Sequence, residues 1–269
     1  MNTQHNTKFR CIGAGCCGSV WTPEIATTWV IKCEDGGDRG RSVANDQVVH
    51  HRVLTADGDD YFEADHRLMS YLQERIPVVP LEIRELLITR YCPQALQDTA
   101  RASRENEDCL IRMHELGLDT DRIAQVLART LAHCYWRAHV DANDVEFVLA
   151  PATAPTRAVT CSFSISGLES QLVIWMLDFD CVRVMSQDRE GIQQAVKAFY
   201  QNDAYFPRPH FFGHTKEDVA LWKLFCTHFV DQTMDILGVE GRWLADEWVR
   251  QMEEEGKRRA AKDEECACR

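Results

Sequence analysis

The stretch DTDRIAQVLARTLAHCYWRAH, residues 119–139, places Ile123, Val126, Leu127, Leu131, Cys134, Tyr135 and Ala138 at three- and four-residue steps. That period predicts a long amphipathic helix, with Asp119 or Thr120 available as its N-cap. A helix with so wide an apolar stripe must be covered by other helices. REGIQQAVKAFYQ (189–201) and KEDVALWKLFCTHFVDQTMDIL (216–237) carry the same pattern, and a last helical region from about Arg242 thins into charge.

The first third of the chain has another texture. FRCI, GAGCCGSV and TTWVIK alternate short apolar runs with turn residues, EDGGDRGR is a loop, and a helix is expected from about Ser42 to Leu54. FEADHRLMSYLQE reads as helical, whereas IPVVPLEI and ELLITRY read as strands on their β-branched residues and bounding prolines. Further on, VEFVL is expected to be a short strand and LVIWMLDFD a continuous apolar strand ending in acids. The expected class is α+β with two lobes: a small strand-rich N-lobe over 1–92 and a helical C-lobe over 93–269, with a charged tail.

Several classes are disfavoured by composition. There is no run of eighteen apolar residues and no apolar segment in MNTQHNTKFR, so a cytoplasmic protein without a membrane partner is expected. Twelve cysteines without a CxxC pair read as reduced thiols, and no metal site is expected. The net charge of −12 argues against broad binding to polyphosphate, DNA included. A local exception is GKRRAAK at 256–262, either a solvated helix end or a basic patch.

Four features in fixed order carry chemistry. GAGCCGSVW fits GxGxxGxV at Gly13, Gly15, Gly18 and Val20, a turn whose glycines let backbone N–H groups approach a ligand. WVIK ends a strand pattern on Lys32. HVDANDVEFVL sets Asp141, Asp144 and Glu146 at the mouth of a strand, and LDFD supplies Asp178 and Asp180. Cys16, Cys17 and Ser19 in the glycine turn could accept an acyl group, although free cysteines more often simply pack.

This order resembles the protein-kinase and aminoglycoside-phosphotransferase fold. The resemblance implies that residues 13–18 form the nucleotide loop, that Lys32 is the phosphate-pairing lysine and that Asp46 is a shortened stand-in for its helical glutamate. It also implies that Asp141 is the catalytic-loop aspartate and Asp178 the metal aspartate, with Mg²⁺ and ATP as cofactors. Three positions depart from that pattern: the shortened acid, Val140 for the catalytic-loop arginine, and Glu146 for the metal-binding asparagine. A third carboxylate where phosphates must sit adds repulsion.

IGAGCCGSVW, CLIR, LAHCYWRAHVDANDVEFVL, WMLDFD and NDAYFPRP together resemble a fungal family described as a zinc-finger-like domain of unknown function, over about residues 10–209. Its members resemble the arginine-containing cyclodipeptide synthases of secondary metabolism, which join amino acids taken from arginyl-tRNA and a second aminoacyl-tRNA into a diketopiperazine. That resemblance implies an aminoacyltransferase that needs no cofactor and has aminoacyl-tRNAs as partners. Asp141, Asp144, Glu146 and Asp178 would be catalytic, with Gly13, Gly15, Cys17, Gly18, Ser19, Lys32 and Asp180 around the substrate. Acids suit an arginyl group because a guanidinium is a planar fork that pairs with carboxylates. A carboxylate could also take the proton of an attacking α-amine. The alternatives are a small-molecule phosphotransferase and a non-catalytic kinase-like binding protein.

Overall fold

The computed structural model describes residues 8–14, 18–25, 27–34, 43–55, 70–91, 113, 115–152, 162–202, 205–211 and 214–267. It is a mixed α+β structure whose chain divides into two compact units. The first comprises Met1–His50, Phe62–Arg104 and Glu146–Cys181; the second comprises His51–Tyr61, Glu105–Val145 and Val182–Arg269. The strand pair that follows HVDAND therefore belongs with the N-terminal strands, beyond the break expected at 92.

In the first unit, β1 (Phe9–Ala14), β2 (Ser19–Pro23), β3 (Trp29–Cys33) and β4 (Ser70–Glu74) form an antiparallel sheet in that order. Alternation along β3 turns Val30 and Lys32 inward, so an apolar and a charged side chain share the buried face. Helix α1 (Val43–Thr55) follows, of which the residues up to His50 belong to this unit, and its Val43, Ala44 and Val49 are buried. A second sheet has the order β5–β7–β6, built from β5 (Glu146–Ala150), β6 (Phe163–Ser164) and β7 (Gln171–Leu177). Register pairs Glu146 with Leu177 and Ala150 with Val173.

Two sequence expectations fail here. The run 81–91, expected to be extended, is helix α2 (Leu81–Tyr91). Pro80 stands before its first turn and accepts the Arg84 N–H at 3.0 Å, and Glu82, Arg84, Glu85, Leu86 and Leu87 are good helix formers that outweigh the β-branched residues. Conversely, Ser70–Glu74, expected to be helical, is strand β4 and pairs with β3 from Trp29↔Glu74 to Cys33↔Ser70. Its pairing with β3 overrides local propensity.

The second unit is helical. Helix α3 (Thr120–Ala132) is capped by Asp119, whose carboxylate accepts the Arg122 N–H at 3.0 Å, and runs directly into a π-helical turn, His133–Arg137. Among the described residues it also contains helices α4 (Arg189–Gln201), α5 (Lys216–Leu237) and α6 (Arg242–Ala267). A capping box between Thr215 and Asp218 starts α5, and Gly238, at φ 74°, ends it by giving its N–H to Met234 O at 2.8 Å. The core is aromatic: Trp248 of α6 is wholly buried, with its ring centroid 4.3 Å from Phe229, 5.6 Å from Phe199 and 6.0 Å from Tyr135. Among the described residues no helix is long and apolar enough to cross a membrane. Replacing Trp248 by Ala removes the ring common to these contacts and is expected to cost about 3–5 kcal/mol, read as a lower midpoint in urea unfolding.

Candidate active site

Lys32 is the centre of the first unit. Its ammonium lies 2.6 Å from Asp46 Oδ2 on α1 and 2.7 Å from Asp178 Oδ1, just past β7. Burial opposes the charge on Lys32, but the two carboxylates overcome it and hold the lysine well above its ordinary range. The other oxygen of Asp46 accepts the Phe179 N–H at 3.0 Å. Its neighbour Asn45 donates from Nδ2 to the carbonyls of Phe179 (3.2 Å) and Asp180 (3.0 Å), and His50 stacks on the Phe179 ring at 5.2 Å. One face of α1 thus grips the backbone of the LDFD segment, including Asp178 in the left-handed region at φ 66°.

Asp46 and Asp178 share this ammonium, and Asp180 is near enough to act on Asp178. Burial pushes the Asp178 carboxyl up from the ordinary aspartate value, Lys32 pulls it down, and Asp180 and Asp46 add to the rise; the rise prevails. Asp180 is 2% exposed, and neither of its side-chain oxygens has a hydrogen-bond partner. A buried carboxylate without partners is costly, so this one stands out. Glu146 opens β5 opposite Leu177, the residue before Asp178, and its side chain is exposed.

The glycine turn is described only at its edges. Gly13 lies at a bulge in the β1–β2 ladder, and Gly15, Cys16 and Cys17 fall outside the described residues. Gly18 has a packing explanation, because a Cβ there would stand 2.1 Å from Cys33 O. Ser19 is buried, and its Oγ accepts the Trp21 Nε1–H at 2.8 Å.

Asp141 and Asp144 belong to the second unit, where they organise a loop. Asp141 is 3% exposed and both its oxygens are occupied. Oδ1 accepts the N–H groups of Arg183 (2.9 Å) and Asn143 (3.1 Å), and Oδ2 accepts from Gln194 Nε2 at 2.8 Å. The backbone around it pairs with 183–185: Asp141 N–H meets Arg183 O and Met185 N–H meets His139 O. His139, Ala142 and Asp144 all have positive φ, between 51° and 63°, so this loop holds three non-glycine residues in the left-handed region. Asn202, after α4, locks it, accepting the Asp144 N–H at 2.6 Å and donating to Ala142 O at 2.9 Å. The Tyr205 hydroxyl donates to Val145 O. Burial, with Arg52 adding to it, keeps His139 below the ordinary histidine value and so neutral at pH 7.

Sequence reasoning assigned no role to Asn45, Gln194 or Asn202. Asn202 had a weak signal in its position just past a helix end; Asn45 and Gln194, inside helices, had none.

A family model, DUF3669, described as a zinc finger protein, matches residues 174–241. No curated protein and no solved structure matches the chain. The matched segment suits zinc poorly. It contains two cysteines, Cys181 and Cys226, and three histidines, His210, His214 and His228, with no paired cysteines. Burial, reinforced by Glu253, holds the Cys226 thiol far above its usual range, against the thiolate that zinc requires, and His210 pairs with Glu253.

Replacing Lys32 by Met strands Asp46 and Asp178 and is expected to cost about 3–5 kcal/mol in denaturant unfolding; adding Asp46→Asn should recover part of that loss. Replacing Asp141 by Ala leaves the Arg183 and Asn143 N–H groups without their acceptor and is expected to cost about 1–3 kcal/mol, with faster amide exchange at 143 and 183.

Proposed function

We propose that the chain is a tRNA-dependent cyclodipeptide synthase that takes arginine and a second amino acid from their aminoacyl-tRNAs, on a kinase-like scaffold. The observation that carries this reading is the acidic group Asp46, Asp178 and Asp180 at the end of β7. Among the described residues Asp46 and Asp178 engage Lys32, while the Asp180 carboxylate, which acts on Asp178 electrostatically, is buried without a hydrogen-bond partner. A nucleotide would bring more negative charge to this group, whereas a guanidinium would neutralise it.

Roles follow from what each carboxylate already does. Asp141 has both oxygens committed to its loop, so its part is to position the chain. Glu146, exposed at the head of β5, is the base that takes a proton from the attacking α-amine. The amine of one aminoacyl ester attacks the carbonyl carbon of the other. A C–N bond forms, the C–O bond to the tRNA ribose breaks, and the proton passes to the departing hydroxyl. The remaining amine repeats the step within the dipeptidyl ester and closes the ring, with no oxidant or ATP consumed.

Purified protein given arginyl-tRNA and a mixture of other aminoacyl-tRNAs should release a cyclic dipeptide visible by mass spectrometry without added ATP. Glu146→Gln should lower its rate by about 10²-fold or more, and Asp180→Asn should raise the apparent KM for arginyl-tRNA. Absence of any diketopiperazine from the wild type sinks the proposal.

The Lys32–Asp178 pair favours one second reading, a small-molecule phosphotransferase, since a lysine beside a metal-binding aspartate is the kinase arrangement. That reading requires Mg-ATP to raise the melting temperature, and an unchanged melt dismisses it.

A further inference from the structure

The basic run near the C-terminus lies on the face of α6 that packs against α4, in a groove lined by both helices. Its cations are not equivalent. Arg250 is fully engaged by acids, with Nε and Nη2 on Glu247 at 2.8 and 2.7 Å and Nη1 on Glu254 at 2.5 Å. At the other end, Arg258 and Arg259 share a single acid, Glu255. Arg258 uses Nε and Nη2, Arg259 uses only Nε, and these contacts span 2.6–2.7 Å. The Arg259 guanidinium also lies 4.4 Å from the centre of the Tyr200 ring, with Arg208 at 5.6 Å from the same ring. Lys197, exposed on α4, lines the groove beside them.

Tyr200 is a rigid platform for this arrangement. Its hydroxyl donates to Met252 O at 3.1 Å, and α6 approaches so closely that a Cβ on Gly256 would stand 2.4 Å from Pro209 O and 3.0 Å from the tyrosine oxygen. The guanidinium of Arg259 is therefore held before any ligand arrives, which lowers the entropy cost of binding. Cations in excess of acid at one place on a chain of net charge −12 are the local exception that a polyanion would find.

We propose that the Lys197–Arg258–Arg259 end of the α4–α6 groove binds the phosphate backbone of RNA. This rests on the reading above, since an enzyme that draws on aminoacyl-tRNA must hold the RNA as well as the aminoacyl end. Three phosphate contacts imply a salt slope of about −2 to −3 in log K against log salt, small enough for release after transfer.

The test uses the full chain and an uncharged tRNA transcript, with affinity measured at several salt concentrations. Replacing Lys197, Arg258 and Arg259 together by Gln should weaken binding about tenfold or more at low salt and remove most of the slope. Lys223→Gln, exposed on α5 and outside the groove, should leave both unchanged. Should the triple variant unfold, Lys197→Gln alone, on an exposed position, should reduce the slope by about one. tRNA binding with unaltered slope in the variants overturns the groove and leaves the proposed activity standing. A wild type that synthesises diketopiperazine yet whose tRNA affinity is equally reduced by Lys223→Gln also overturns it. Failure of the wild type to bind tRNA at low salt overturns both. Displacement of tRNA by polyglutamate at matched ionic strength gives the groove to an acidic protein instead.

Discussion

A buried ammonium held between two carboxylates fixes the first unit. Lys32 belongs to β3, Asp46 to the helix α1 that follows it and Asp178 to the segment just past β7, so one side chain ties neighbouring elements to one far along the chain. Ion pairs of this kind add little net stability, because desolvation consumes most of the attraction. Their effect is on specificity. A slip of β3 by one residue would turn Lys32 outward and leave both acids without a cation. The same helix then secures the LDFD backbone through Asn45, Asp46 and His50, so the left-handed Asp178 is held by hydrogen bonds and ring stacking from outside the segment.

Much of this was legible in the residues, and the failures have physical causes. The 3.6-residue period over 119–139 and the cap at Asp119 were visible, because that helix is set by its apolar stripe and its first turn. VEFVL and LVIWMLDFD read as strands for the corresponding reason. Residues 70–74 and 81–91 were misread because each is decided by something no local window contains. Strand β4 depends on pairing with β3, and α2 buries only Ile83, so it shows no apolar stripe to read.

Among the site residues, the pattern revealed which acids occur together but not what each one does. Asp141, Asp144 and Glu146 look equivalent in HVDANDVEFVL. In the fold Asp141 organises backbone N–H groups, the Asp144 backbone is held by Asn202, and Glu146 starts a strand of the other unit with its side chain exposed. Asp180 was expected around the substrate, and among the described residues its carboxylate is buried with both oxygens lacking a hydrogen-bond partner. Such distinctions depend on burial and donor supply, which linear spacing does not encode.

The π-helical turn at His133–Arg137 has a consequence for the way the chain can vary. A turn widened by one residue rotates everything after it by about 100° relative to an uninterrupted α-helix. Cys134, Tyr135 and Trp136, consecutive in sequence, are all buried in it, and the two ring centroids are 5.8 Å apart. Deleting a single residue from this turn would restore ordinary helical phase and change the direction in which the following side chains enter the core. The phase error would continue into His139 and Asp141. Insertions and deletions tolerated in surface loops should therefore be rare between 133 and 141, where one residue more or less redirects both the core and the loop.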